Sequence, residues 1–319
     1  MRLEKIGKIF DPGDHLLPDG CISHAQSPQV LLTDDGVRIY FSARSVDATG
    51  GKFRSRICFV DMDIGFRRVL GVNRQTVVPL GGLGCFDEHG IFPMSVLRNG
   101  AEVWGYTCGW NRRVSVSVDT AIGLAISRDG GLSFARQGDG PILGPTLNEP
   151  FLVGDGFVVR DAEAYHMWYI FGQRWSRERP DAAPDRVYKI GHAISPDGVH
   201  FVKDDGVPVL PDALGPEECQ ALPSVVRFGG TWHMVFCYRD IHGFRTDPAR
   251  GYRIGYAHSP DAKNWQRDDA ALGLGGTPGA WDADMQCYPH LCVVQGEMLL
   301  LYNGNGFGKD GFGLAKVHL

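Results

Sequence analysis

A five-bladed β-propeller of four-stranded antiparallel blades, all-β and in a single domain over residues 1–319, is the architecture this sequence predicts. Three observations carry the prediction. The first is a five-fold echo: Ser27-Pro28-Gln29-Val30-Leu31, Phe92-Pro93-Met94-Ser95-Val96, Asp155-Gly156-Phe157-Val158-Val159, Leu222-Pro223-Ser224-Val225-Val226 and Tyr288-Pro289-His290-Leu291-Cys292. Positions 28, 93, 156, 223 and 289 lie 65, 63, 67 and 66 residues apart, so five units fill the chain. A fixed long period marks a unit that buries its apolar faces only against its neighbours. The second observation is an alternating apolar and aromatic run shortly after each echo. The third is the scatter of 43 glycines and 19 prolines, which suits an all-β chain dense in turns.

The elements follow in order. Residues 4–10 precede the first unit and have no partner there. Each unit opens on an inner strand, the echo itself. A second strand follows at 37–41, 102–107, 165–171, 231–237 and 297–302, where alternation and β-branched or aromatic content favour strand over helix. The third strand has its own signature: Ile122-Gly123-Leu124-Ala125-Ile126-Ser127, Ile190-Gly191-His192-Ala193-Ile194-Ser195 and Ile254-Gly255-Tyr256-Ala257-His258-Ser259 are near copies, and Phe312-Gly313-Leu314-Ala315 is a degenerate fourth. Turns of the form Ser-x-Asp follow at Ser127-Arg128-Asp129, Ser195-Pro196-Asp197 and Ser259-Pro260-Asp261. Their Asp side chains bond backbone N–H groups, so they read as hairpin turns far from any pocket. The fifth unit runs out of chain before a fourth strand. Residues 4–10 are therefore expected to complete it and close the ring.

Composition narrows the function classes. A formal net charge of −5 and the lack of a basic run argue against nucleic acid and anionic membranes as partners. No segment is apolar enough to span a bilayer, and the first residues lack a secretory stretch. Eight cysteines form no CxxC pair, and Cys58, Cys108, Cys237 and Cys292 sit in apolar strand patterns, which points to a reducing cytoplasm. No cofactor and no metal is implied; His24, His89 and His290 read as hydrogen-bonding pocket residues.

In a propeller the inner strands line the channel, and antiparallel order brings their starts and the ends of the second strands to one mouth. Five residues before the repeat proline stand Glu88, Glu218 and Asp284, with Asp19 further upstream in blade one and Asp155 in blade three. After the second strands come Arg44, Trp110, Arg174, Trp175, Arg239 and Asn303; His24, Gln26, His89 and His290 flank the inner strands. Indoles that stack on sugar faces, polar groups that read hydroxyls and paired carboxyls that act as acid and base are what a carbohydrate site requires.

The chain resembles the five-bladed propeller glycosidases of glycoside hydrolase families 43 and 32 and the mannoside phosphorylases of family 130. Tyr165-His166-Met167-Trp168-Tyr169-Ile170, residues 190–201 and Phe86-Asp87-Glu88-His89-Gly90-Ile91-Phe92-Pro93 carry the resemblance. It implies a glycoside-acting enzyme with a carbohydrate partner, inverting through a water, with Glu218 as general acid, Asp284 or Asp19 as base and Glu88 orienting substrate. The Asp-Pro base of family 43 is replaced by Ser27-Pro28, and the Asn-Asp-Pro-Asn and Arg-Asp-Pro signatures of family 32 are absent. Two alternatives stay open: a phosphorylase with Arg44, Arg174 and Arg239 around phosphate, and a propeller that binds a sugar or sugar nucleotide without turnover. A sialidase reading of Ser127–Phe134 is disfavoured by the count of five repeats.

Overall fold

The computed structural model describes residues 2–47 and 52–319. Strand β1 (Arg2–Phe10) comes first. Blade one holds β2 (Cys21–Leu32), β3 (Val37–Ser45), β4 (Arg54–Met62) and β5 (Val69–Val72); blade two holds β6 (Gly90–Asn99), β7 (Glu102–Arg112), β8 (Val118–Ser127) and β9 (Ala135–Arg136). Blade three holds β10 (Val153–Arg160), β11 (Tyr165–Ser176), β12 (Asp185–Ser195) and β13 (Val202–Lys203). Blade four holds β14 (Cys219–Phe228), β15 (Thr231–Arg239), β16 (Arg253–Ser259) and β17 (Gln266–Arg267). Blade five holds β18 (Cys287–Val294), β19 (Glu297–Asn303) and β20 (Phe312–His318).

Blade five takes its fourth strand from the other end of the chain. β1 pairs antiparallel with β20, from Arg2 opposite His318 to Phe10 opposite Phe312. All five second strands begin at the residue the sequence indicates but run further, to Ser45, Arg112, Ser176, Arg239 and Asn303. These extensions carry the chain up to the mouth.

The core is divided among the blade interfaces. Five apolar clusters lie one between each pair of adjacent blades. The cluster joining blade five to blade one unites Leu301, Phe312 and Leu314 with Ile39, Phe41 and Phe10. The inner strands also touch in succession, β2 to β6, β10, β14 and β18, and β18 returns to β2. No blade could bury its faces alone, which is why the repeat period is readable at all.

The third-strand glycines have one shared cause. A Cβ on Gly123 would sit 2.4 Å from Phe86, and one on Gly255 would sit 2.5 Å from Phe236. Large aromatic rings lie directly on the backbone there, so any side chain would displace them.

Candidate functional site

Every inner strand carries a β-bulge at one register. The pairing shifts between Gln26 and Gln29, Ile91 and Met94, Gly154 and Phe157, Ala221 and Ser224, and Cys287 and His290. A bulge inserts a residue that opposes nothing and re-aims its side chain. The bulged residues include Ser27, Asp155, Leu222 and Tyr288, with φ of 53°, 51°, 51° and 54°. Non-glycine residues in this left-handed region cost of order 1 kcal/mol each, and such strain gathers at functional sites. Blade two has Phe92 at the equivalent place. Phe92, Asp155, Leu222 and Tyr288 all line one cavity of about 250 Å³ at the channel mouth.

The walls of that cavity come from all five blades. Gln26 and Arg44 enter from blade one, Trp110 from blade two, Arg186 and Tyr188 from blade three, and Arg239, Arg245 and Tyr252 from blade four. Asp155 is the sole Asp or Glu among the described lining residues, and it shares the cavity with four arginines. Burial pushes its carboxyl up to about 7, against the opposing pull of the Leu222 N–H, Arg186 and Cys108. At neutral pH it is poised to hold or release a proton.

Arg239 is the most unusual of the cations. It is 1% exposed, and its Nη1 donates to the carbonyls of Asp240 at 2.7 Å and Ile241 at 3.1 Å. Its Nε has no partner, and no carboxylate pairs with it among the described residues. Rings of Phe244, Tyr188 and Tyr252 surround it, at 3.5, 5.4 and 5.5 Å from centroid to guanidinium carbon. Arg186 lies over Trp175 and Tyr188, at 5.6 and 5.8 Å. Arg44 stacks on Phe53 at 4.1 Å and donates to Gln26 Oε1 at 3.3 Å.

The carboxylates at the approaches to the inner strands serve another purpose. Asp87 pairs with Arg136 at 2.9 Å, Glu149 with Lys203 at 2.5 Å, Glu218 with Arg267 at 2.6 Å and Asp282 with Lys5 at 2.6 Å. Each acid side chain is 0–1% exposed, and each base belongs to the outermost strand of the same blade. Blade one has the neutral counterpart, Thr76 Oγ1 donating to Asp19 Oδ1 at 2.7 Å. These contacts fasten the chain entering each blade to that blade's rim.

The expected catalytic set is therefore not gathered at the mouth. Glu218 also accepts from the N–H groups of Ala213 and Leu214 and from Gln220; burial raises its carboxyl, but Arg267 and Gln220 outweigh burial and hold it below the usual range. Glu88 and Asp284 are one and two residues from the fastening acids Asp87 and Asp282. Glu88 accepts from the Gly84 N–H at 2.9 Å, and Asp284 is exposed. None of Asp19, Glu88, Glu218 and Asp284 lines the cavity, because loop geometry turns these positions toward the rim.

The expected binding residues divide similarly. Gln26, Arg44, Trp110, Asp155 and Arg239 line the cavity. His89 stacks on Trp110 at 5.9 Å, behind the wall. His24 is buried, with burial and the charges of Arg44 and Lys309 lowering it to about 4. His290 lies in the channel wall, accepts from the Val30 N–H at 3.1 Å and is lowered by burial to about 3. Asn303 bridges blades five and one, accepting from Ser27 N–H at 2.8 Å and donating to the carbonyls of Ala25 and Gly311. Arg174 pairs with Glu217 at 2.7 Å, and Trp175 packs under Arg186. Among the described residues no three His, Cys, Asp or Glu side chains converge as a metal site.

The chain is 34% identical over 321 residues to the uncharacterized protein Rv1502 of Mycobacterium tuberculosis H37Rv, with 99% of each chain covered. The uncharacterized protein MT1551 of strain CDC 1551 matches at the same identity and coverage. The chain belongs to the Rv1502 family. A β-1,2-mannobiose phosphorylase from Thermoanaerobacter is 27% identical over 139 residues, covering 41% of this chain and 44% of that protein. No family model matches.

Solved structures place the Rv1502-family fold among the glycoside hydrolase propellers. The BT0996 RGII complex superposes with a TM-score of 0.74 at 16% identity, covering 99% of this protein and 92% of that one. A thermostable family-43 glycoside hydrolase gives 0.65 at 13%, covering 94% and 91%. The family-43 enzyme of Xanthomonas citri bound to xylose gives 0.61 at 14%, covering 99% and 90%.

Several cavity residues of this Rv1502-family chain escape the reading of second-strand ends. Val118, Thr120, Arg186, Tyr188 and Tyr252 stand at or just before the starts of third strands, and antiparallel order brings those starts to the same mouth. That signal was present in the sequence. Phe244, Arg245 and Phe307 lie on connecting loops between strands, where no periodicity shows which way the chain folds.

Proposed function

We propose that this chain acts on glycosides at the Asp155 cavity, with Asp155 as general acid and phosphate, not an activated water, as the attacking group. The observation that carries this is a single carboxyl sharing one cavity with four arginines. Inverting hydrolysis needs a second carboxylate roughly 6.5–9.5 Å away to draw a proton from water. Phosphate arrives already nucleophilic and needs cations to hold it, and Arg239 and Arg186 around Tyr188 supply them. In the step, the Asp155 O–H gives its proton to the glycosidic oxygen as the bond to the anomeric carbon breaks. A phosphate oxygen bonds that carbon from the opposite face, giving a glycosyl phosphate of inverted configuration. The phosphorylase likeness supports the same reading. Eight free thiols fit a reducing compartment.

The test is turnover of oligosaccharides with and without phosphate, and its reverse from sugar 1-phosphates, in wild type and Asp155→Asn. Phosphate-dependent release of a glycosyl phosphate, lost in the variant, is expected. Phosphate-independent release of free sugar that survives Asp155→Asn would refute the reading. A second reading, a propeller that binds sugar without turnover, is favoured by the lack of a second carboxylate. It predicts sugar affinity with no product in either direction.

A further inference from the structure

The four cavity arginines fall into two groups. Arg186 and Arg239 share the Tyr188 ring beside Asp155. Arg44 comes from blade one, held by Gln26 and Phe53, and Arg245 from the loop after β15, stacked on Phe244 at 4.1 Å. Arg44 has no carboxylate partner among the described residues; Arg245 has only Asp185 at 3.7 Å. Burial lowers the Arg44 guanidinium, and the Arg245 charge adds to that effect, so the two cations are close enough to repel.

Charge balance then asks for more than one anion. Asp155 as the acid is neutral before it acts, which leaves four positive charges around the cavity; among the described residues only that of Arg245 is offset by a nearby carboxylate, Asp185 at 3.7 Å. A bound phosphate carries at most two negative charges. The part-buried Arg44 has no carboxylate counter-ion among the described residues, which is costly, and the cost is repaid when an anion enters.

We propose that Arg44, Arg245 and Gln26 form a second anion subsite, which reads a carboxylate or phosphate ester carried by the sugar itself. The substrate is then an anionic glycoside: a uronic acid residue or a phosphorylated hexose. The inference rests on the Asp155 cavity being the glycoside site, and it names what that site selects. The Gln26 amide is pre-positioned, its Nε2 donating to the Phe307 carbonyl at 2.8 Å while Oε1 holds Arg44. The Arg44 fork is thereby aimed before ligand arrives, a condition for bidentate recognition of an oxyanion.

The experiment is calorimetric titration of the full chain with glucuronate, glucose 6-phosphate, glucose and inorganic phosphate, in wild type, Arg44→Gln and Arg245→Gln. Both substituted side chains reach solvent, and each variant's melting curve checks its fold. Glucuronate or glucose 6-phosphate is expected to bind at least about tenfold tighter than glucose, and to lose about tenfold or more in Arg44→Gln. Phosphate affinity is expected to stay within about twofold in that variant, and saturating phosphate is expected to leave the sugar anion bound. The two probes distinguish a carboxylate from a phosphate ester. Equal affinity for charged and neutral sugars would overturn the inference. So would a parallel loss of phosphate and sugar-anion binding in Arg44→Gln, which would mean one shared site. Binding of the sugar anions through Arg44 without any binding of phosphate would sustain this inference and defeat phosphorolysis.

Discussion

At the scale of the residue, Asp155 concentrates the chemistry. Its backbone is left-handed, the residue is 8% exposed, and burial pushes its carboxyl up to about 7. That position has a consequence for stability. The value lies above that of an unfolded aspartate, about 3.9, so between about pH 4 and pH 7 the folded state keeps a proton that the unfolded chain has released. Stability therefore falls as pH rises through that window. Asparagine has no such proton to lose. Asp155→Asn is expected to gain stability over wild type as pH rises, by at least about 2 °C in Tm at pH 8. Equal melting curves at pH 4.5 and 8 for the two proteins would show that Asp155 titrates normally. Asp155 was legible in the sequence because it stands inside the echo. Its chemical role was not, because a raised carboxyl is a property of burial among other strands, set against the opposing pull of Leu222, Arg186 and Cys108.

At the scale of the element, the repeat uses the same two devices in every blade. One is the inner-strand bulge that turns a side chain into the mouth. The other is the fastening of the incoming chain to the rim strand, by ion pairs at Asp87, Glu149, Glu218 and Asp282. Removing one partner of a buried pair strands the other charge, at about 3–5 kcal/mol. Glu218→Gln keeps the hydrogen bonds from Ala213 and Leu214 but leaves the buried Arg267 with Asp269, at 2.8 Å, as its remaining carboxylate. We expect it to lower stability by about 2 kcal/mol, the loss of one charge-assisted hydrogen bond, while leaving sugar and phosphate affinities unchanged, read by urea unfolding beside calorimetry. A variant of wild-type stability that has lost catalysis would return Glu218 to the chemistry. That carboxylates stand ahead of the inner strands was visible in the sequence, and Glu218 and Asp19 are among those that fasten to the rim. Glu88 and Asp284 miss the fastening positions, held by Asp87 and Asp282, by one and two residues, because loop lengths before the inner strands vary and no periodicity reports them.

At the scale of the whole molecule, closure decides stability. β1 covers the open edge of β20, and Phe10 packs with Phe41 and Phe312 across the seam between blades five and one. Deleting residues 2–10 would leave β20 an exposed edge and open that cluster. The truncated chain is expected to aggregate or to melt well below the full chain, in light scattering and calorimetry. A soluble truncation with unchanged Tm would show that the ring does not depend on β1.

What the sequence alone determined is the periodic part: five units, their strand starts, the turn aspartates and the closing strand. Alternation and turn chemistry are local, and every blade repeats them. The tertiary structure decided which charges meet. Ion pairs between loop acids and rim bases, and the gathering of arginines from blades one, three and four around one carboxyl, join residues far apart in the chain. Electrostatics depends on distance in space and on burial, and neither is written in the spacing of residues along a strand.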